Sequence, residues 1–123
     1  MGYESRIYIV EKFDTCSYDD GKCFAQVIAM FNMCKFYDLS GVLRYKPETD
    51  CYIYADDGNT RILEDCYGEP LKEATIESVI DTLEKIVANG EDYWRTFPLL
   101  STLKSIKERI GNYDKIVVLH YGY

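Results

Sequence analysis

Several features that usually indicate a function are missing from this chain of 123 residues. No apolar run approaches the roughly 18 residues of a transmembrane helix. The first residues lack the long apolar segment of a signal peptide. No P-loop, EF-hand or dinucleotide-binding glycine pattern occurs in the sequence. We therefore expect a cytoplasmic protein that does not associate with membranes.

Basic residues are scarce relative to acidic ones. The chain has 14 lysines and arginines against 21 aspartates and glutamates, which gives a formal net charge of −7. Proteins that bind a phosphate backbone need a basic face, so we expect no direct contact with nucleic acid. An acidic surface can instead lie against a basic protein, where nucleic acid would otherwise bind. Ordinary solubilising charge explains the same balance.

Histidine occurs once, at His120 in the segment LHYGY. Catalysis by a Ser–His or Cys–His pair would depend wholly on this residue, and it would need an oriented partner within reach. A lone histidine inside a strand is more often structural. We therefore predict that the chain is not an enzyme and assign it no catalytic residue.

Cysteine is present five times, but never as C-x-x-C, so the commonest zinc and redox spacings are missing. Cys16 and Cys23 flank a turn that contains aspartates, and with one or two further ligands they could hold zinc. Cys51 and Cys66 could face each other across the central hairpin if its loop adds a bulge residue. Buried free cysteines explain the same residues. We predict no cofactor, with zinc at Cys16 and Cys23 as the alternative.

The clearest local signal is a β-hairpin over Asp50–Gly68. Strands at Cys51–Ala55 and Arg61–Asp65 flank the turn Asp56-Asp57-Gly58-Asn59. Asp-Gly is a strong hairpin signal because both positions tolerate a positive φ. A second Asp-Asp-Gly, at positions 19–21, ends an earlier turn.

The remaining pattern predicts an α+β fold in a single domain over residues 1–123. The segment Cys23–Phe36 could be a buried helix or a strand; we favour a strand because a turn precedes it and strand formers fill it. We expect an antiparallel sheet of about five strands packed against two helices in the C-terminal half. Besides the hairpin, the predicted elements are strands at Tyr3–Phe13, Cys23–Phe36 and Lys115–Tyr121, and helices at Thr75–Ala88 and Phe97–Arg109.

Acidic residues also form a spaced series near the first of these helices. Glu73, Glu77, Asp81 and Glu84 are four, four and three residues apart, so we predict that they share one helical face. Like charges at this spacing are mildly destabilising, and a basic partner would offset that cost. Together with the hairpin's Asp56 and Asp57, and with 12 tyrosines in the chain, they form the predicted partner-binding residues.

Four pieces of the chain resemble small phage and prophage proteins of no assigned activity. They are YESRIYIVEK (3–12), YADDGNT (54–60), YGEPL (67–71) and HYGY (120–123). Small acidic phage proteins include inhibitors of host defence, among them anti-CRISPR proteins. The resemblance therefore implies a non-enzymatic, phage-encoded inhibitor in a bacterial host, with a basic nucleic-acid-handling protein, such as a CRISPR effector nuclease, as its partner.

Two alternatives to an inhibitor stay open. One is a small zinc-stabilised binding module, and the other is a small protein that binds a nucleotide signal. The oligomeric state is also open, because an exposed edge of the first or last strand could drive dimerisation.

Overall fold

A computed structural model describes residues 4–15, 18–35, 37–90 and 94–123. The chain forms a curled sheet with helices on one side of it. The strands are β1 (Ser5–Lys12), β2 (Cys23–Cys34), β3 (Cys51–Tyr54), β4 (Arg61–Ile62), β5 (Lys72–Ala74) and β6 (Ile116–Gly122). The helices are α1 (Tyr37–Leu43), α2 (Ile76–Ala88) and α3 (Thr96–Arg109).

The six strands follow the order β4-β3-β2-β1-β6-β5. Strand β1 pairs antiparallel with β2 on one side and with β6 on the other. The two ends of the sheet approach each other, because Glu64 forms a bridge with Pro70 and the N–H of Leu71 donates to the carbonyl of Leu63 at 3.3 Å. This contact curls the sheet, and a small core lies inside the curl.

The core has two parts on opposite faces of the sheet. Residues of α2 and α3 pack with Ile7 and Ile9 of β1 on the helix side. Val10, Ile53 and Leu119 pack inside the curl. Because side chains alternate along a strand, β1 contributes to both cores from successive positions.

Helix α2 forms as its sequence predicts. The Thr75 hydroxyl oxygen caps it by accepting the N–H of Ser78 at 3.1 Å. Its buried residues recur at helical spacing: Ile76, Val79, Ile80, Leu83 and Ile86. No helix in the described ranges is both long enough and apolar enough to cross a membrane.

The predicted α+β class is confirmed, and the segment that could have been a helix is strand β2. Two details of the sheet were not predicted. A sixth strand, β5, lies at the sheet edge beside β6, and β3 runs parallel to β2 at Cys23 and Phe24. The parallel pairing arises because α1 connects the two strands and returns the chain to the same end of the sheet.

The lone histidine lies in a buried polar cluster on the helix side of the sheet. Its Nε2 shares a hydrogen bond of 2.9 Å with the hydroxyl of Ser5 on β1, and Ser5 also bonds to the hydroxyl of Ser40 on α1. Ser5, Ser40 and His120 are all buried. The cluster therefore joins β1, β6 and α1 in the interior, a structural role for His120.

Burial lowers the pKa of His120 to about 4; the charge of Asp65 opposes this shift, whereas Arg44 and Lys72 add to it. An unfolded histidine titrates near 6.5, so the unfolded chain binds the extra proton first as pH falls. We expect this residue to contribute stability above pH 6.5 and to lose it between pH 6.5 and about 4. From pH 7 to pH 5 the loss should be about 2 kcal/mol.

Urea unfolding at pH 7 and pH 5 measures this effect, with His120→Gln as the matched variant that lacks the titrating group. The free energy of unfolding should change less between pH 7 and pH 5 in the variant, since the carboxyls of the chain titrate mainly below pH 5. An equal loss of stability in both proteins would contradict the assignment.

Candidate functional site

The tip of the β3–β4 hairpin is held by the carboxylate of Asp57. It accepts the N–H groups of Asn59 and Thr60, each at 2.8 Å, and the Thr60 hydroxyl at 2.5 Å. These bonds lower the pKa of Asp57 to about 2, so the residue stays charged over the physiological range. Gly58 has φ +74°, as the Asp-Gly turn requires. Asp56, beside it, is exposed.

Arg61, at the start of β4, connects this hairpin to the earlier Asp-Asp-Gly turn. Its Nη2 donates to Asp20 at 2.8 Å. Its guanidinium also contacts two tyrosine rings, 3.8 Å from the centroid of Tyr18 and 4.2 Å from that of Tyr52. The hydrogen bonds from the N–H of Lys22 and from the side chain of Arg61 lower the pKa of Asp20. Arg61 therefore holds the turn at residues 18–21 against the β3–β4 hairpin.

Aromatic side chains pack around this arginine. Tyr52 is buried and contacts Tyr18, Phe24 and Tyr54, with ring centroids 5.4 to 6.0 Å apart. Phe13 stacks on Phe24 at 5.7 Å. Hydrogen bonding to Tyr54 raises the pKa of Tyr18, a residue that is 42% exposed. The rings hold one another in fixed positions while their outer members remain open to solvent.

These residues form one surface, which we call the acidic aromatic surface. It consists of Phe13, Tyr18, Asp19, Asp20, Tyr54, Asp56, Asp57 and Arg61. The set contains four carboxylates and one guanidinium, so the surface is net negative. Rigid aromatic area beside fixed charge is typical of protein-binding sites. Asp56 and Asp57 are among the predicted partner-binding residues, whereas Tyr18, Asp20 and Arg61 were not predicted. The second Asp-Asp-Gly, at positions 19–21, was the sequence feature that could have indicated them.

The other predicted acidic residues lie elsewhere. Glu77, Asp81 and Glu84 are on α2, but two of them are engaged by other parts of the chain. Glu77 accepts a hydrogen bond from the hydroxyl of Tyr113, which lowers the pKa of that carboxyl, and Glu84 pairs with Lys104 of α3 at 2.9 Å. The spaced acidic series predicted that a basic partner would offset its like charges. Lys104, on α3 of the same chain, already pairs with one of them.

Glu73 is not on the helical face where the spacing placed it. It lies in β5, before the Thr75 cap of α2. Its carboxylate accepts the Thr49 hydroxyl at 2.7 Å and pairs with Lys12 at 3.1 Å. Lys12 also pairs with Asp50 at 2.5 Å. Glu73 therefore belongs to a charge network that ties β1 to β5.

This network contains three groups of the kind that hold metal ions. One ligand atom from each of Asp50, Cys51 and Glu73 lies within 4.8 Å of the other two. Burial raises the pKa of the Cys51 thiol, with a bond to Thr49 opposing it. A metal ion would have to displace the ammonium of Lys12, which already serves as the cation of the cluster.

The cysteine predictions have mixed outcomes. Cys16 lies outside the described residues. Cys23 is half-buried and lies beside Cys51 in the parallel β2–β3 pair. Cys66 does not face Cys51, because the hairpin register pairs Ile53 with Ile62 and Cys66 is exposed beyond the end of β4.

No protein-family model matches the chain, and no curated protein or solved structure is significantly similar to it. The comparisons therefore carry no function over to this chain.

We expect Arg61→Met to loosen the turn at residues 18–21. The substitution keeps the volume of the side chain but removes the charge that Asp20 and the two tyrosine rings contact. A cation–π contact with an exposed ring such as that of Tyr18 contributes about 1 kcal/mol, so amide exchange in the turn should accelerate roughly fivefold.

Hydrogen exchange read by mass spectrometry measures this, with Arg44→Met as the control because Arg44 is more exposed and its ion pair with Glu69 is long, at 4.0 Å. Unchanged exchange at residues 18–21 in Arg61→Met would show that the turn does not depend on the arginine.

Proposed function

We propose that this chain is a non-enzymatic binding protein that inhibits a basic, nucleic-acid-handling host protein. In this proposal the acidic aromatic surface occupies the part of the partner that would otherwise hold nucleic acid. The observation that carries the proposal is the contact of Arg61 with Asp20 and Tyr18, which joins the turn at residues 18–21 to the β3–β4 hairpin beside exposed carboxylates and rings.

The chemistry of the surface supports this kind of partner. Fixed negative charge attracts lysines and arginines and speeds association with a basic protein. The rings of Phe13 and Tyr18 offer large, rigid area, which contributes most of the energy in many interfaces. Asp57 and Asp20 are held by hydrogen bonds before binding, so little side-chain ordering remains to oppose association.

The resemblance to phage and prophage proteins adds the biological context of this proposal. A phage benefits from blocking host nucleases, and an acidic protein can do so without any chemistry. We therefore place the partner among the nucleases of host defence, with CRISPR effectors as the first class to examine.

Charge reversal tests the surface directly. We expect Asp19→Lys with Asp56→Lys to weaken partner binding roughly tenfold or more, since each lysine would oppose a basic partner. The control is Asp38→Lys with Glu108→Lys, two exposed residues on α1 and α3, because both double variants change the net charge equally. Binding is measured against purified CRISPR effectors by biolayer interferometry, with loss of their DNA binding as the second readout.

Salt separates the outcomes further. Binding that weakens between about 50 mM and about 500 mM salt agrees with an electrostatic interface. If Asp81→Lys with Glu84→Lys loses binding while Asp19→Lys with Asp56→Lys keeps it, the partner binds α2 and not the acidic aromatic surface. Equal binding by all variants at all salt concentrations would contradict an acidic contact face.

A second candidate function is a zinc-stabilised binding module. It is favoured by the Asp50, Cys51 and Glu73 cluster, beside which Cys23 could supply a fourth ligand from the neighbouring strand. Zinc takes four ligands of this kind at about 2.0–2.3 Å, so the cluster would contract around the ion and release Lys12. The metal would then replace an internal ion pair as the tie between β1 and β5.

Elemental analysis of protein purified without added metal decides this candidate. If it holds, about one zinc ion should be found per chain, and Cys51→Ser should lose it while Cys34→Ser, a half-buried cysteine outside the cluster, should keep it. Absence of stoichiometric zinc would leave Lys12 as the cation of the cluster and end the candidate.

A further inference from the structure

Strand β2 has an open edge over residues 26–31. One side of β2 pairs with β1 along almost its whole length. On its other side, β3 pairs only with Cys23 and Phe24. At the far end, Arg95 donates to the carbonyl of Asn32 at 2.6 Å. Between these two points, no strand of the described residues pairs with this edge.

The composition of the edge is unusual for an exposed strand. No charged residue occurs from Cys23 to Cys34, although the chain as a whole carries −7. Val27, Ile28 and Met30 are 37%, 50% and 49% exposed. Open edges in monomeric proteins usually carry charges, especially lysine, to prevent pairing with another chain. One protective device is present, a bulge opposite Ile9 and Val10.

We propose that the open edge of β2 pairs antiparallel with the same edge of a second copy of this chain. A two-fold axis between Ile28 and Ala29 maps residues 26–31 onto themselves. It places Val27 beside the partner's Met30, and Met30 beside the partner's Val27. Val27 and Met30 lie on the same face of the sheet, since they pair with Val10 and Tyr8 of β1. Exposed apolar side chains of the two copies therefore cover each other.

The lack of charged residues along β2 makes it a place where two copies of this acidic chain can pair. Two chains of net charge −7 repel wherever their acidic surfaces meet. The uncharged segment at Cys23–Cys34 lets them pair without opposing like charges along the strand. β3 closes one end of the open segment at Phe24 and Arg95 closes the other at Asn32, so the axis lies near the middle of the segment.

The size of the contact predicts a weak dimer. Six paired residues on each side form an interface at the low end of the size range for specific complexes. We therefore expect reversible dimerisation that depends on protein concentration. Higher salt should strengthen it, because salt screens the repulsion between acidic chains. The proposed binding of a basic host protein should respond to salt in the opposite direction, so the two proposals fail independently.

Sedimentation equilibrium of the full chain from about 1 to about 200 μM tests the dimer over the range expected of weak association. The mass should rise from 14.3 kDa to twice that value in the wild-type protein. Val27→Lys with Met30→Lys should remain monomeric throughout. The matched control, Val42→Lys with Tyr45→Lys, changes two exposed apolar residues around α1 and should dimerise like the wild type.

Hydrogen exchange of the wild-type chain gives a readout that does not depend on the variants folding. Amides in residues 26–31 should become more protected as concentration rises, and amides of the β3–β4 hairpin should not. A wild-type mass of 14.3 kDa at every concentration would overturn the proposal. So would a dimer that survives in a folded Val27→Lys, Met30→Lys variant, or a monomer whose β2 edge is covered only by a different protein.

Discussion

The antiparallel pairing of β1 with both β2 and β6 is the constraint on which the rest of the structure depends. It joins the first strand of the chain to the last, and it fixes which face of each strand meets the helices. Ile7 and Ile9 of β1 form the floor on which α2 and α3 pack, and Val10 enters the core inside the curl. The buried bond between Ser5 and His120 is a consequence of the same pairing, because it connects the neighbouring strands β1 and β6 on the helix side.

The different lengths of the strands produce both candidate interaction surfaces. Strand β2 has 12 residues but β3 has four, so the short β3–β4 hairpin covers only the beginning of β2. At that end, aromatic side chains of β2 and β3 pack around Arg61 and form the acidic aromatic surface. Beyond it, the edge of β2 extends without a neighbouring strand. A longer β3 would have covered that edge.

Local patterns predicted much of the fold, because helix periodicity, capping and turn chemistry depend on neighbouring residues. Helix α2 and the turn around Gly58 are examples. Strand β5 was missed because three residues carry too little alternation to indicate a strand. Glu73 was assigned to a helical face by spacing alone, although the Thr75 cap begins the helix after it. The contact of Arg61 with Asp20 could not be predicted, since it depends on sheet register between distant segments.

Turn chemistry and binding are not competing explanations for the aspartates of the hairpin tip. The bonds that hold the Asp57 carboxylate stabilise the turn and also keep the residue ionised, with a pKa of about 2. Arg61 similarly neutralises one charge at Asp20 while it fixes the direction of the neighbouring rings. A flexible acidic loop would lose conformational entropy on binding a partner, whereas these turns have been ordered by folding. The structural role of these residues therefore makes the surface better suited to recognition.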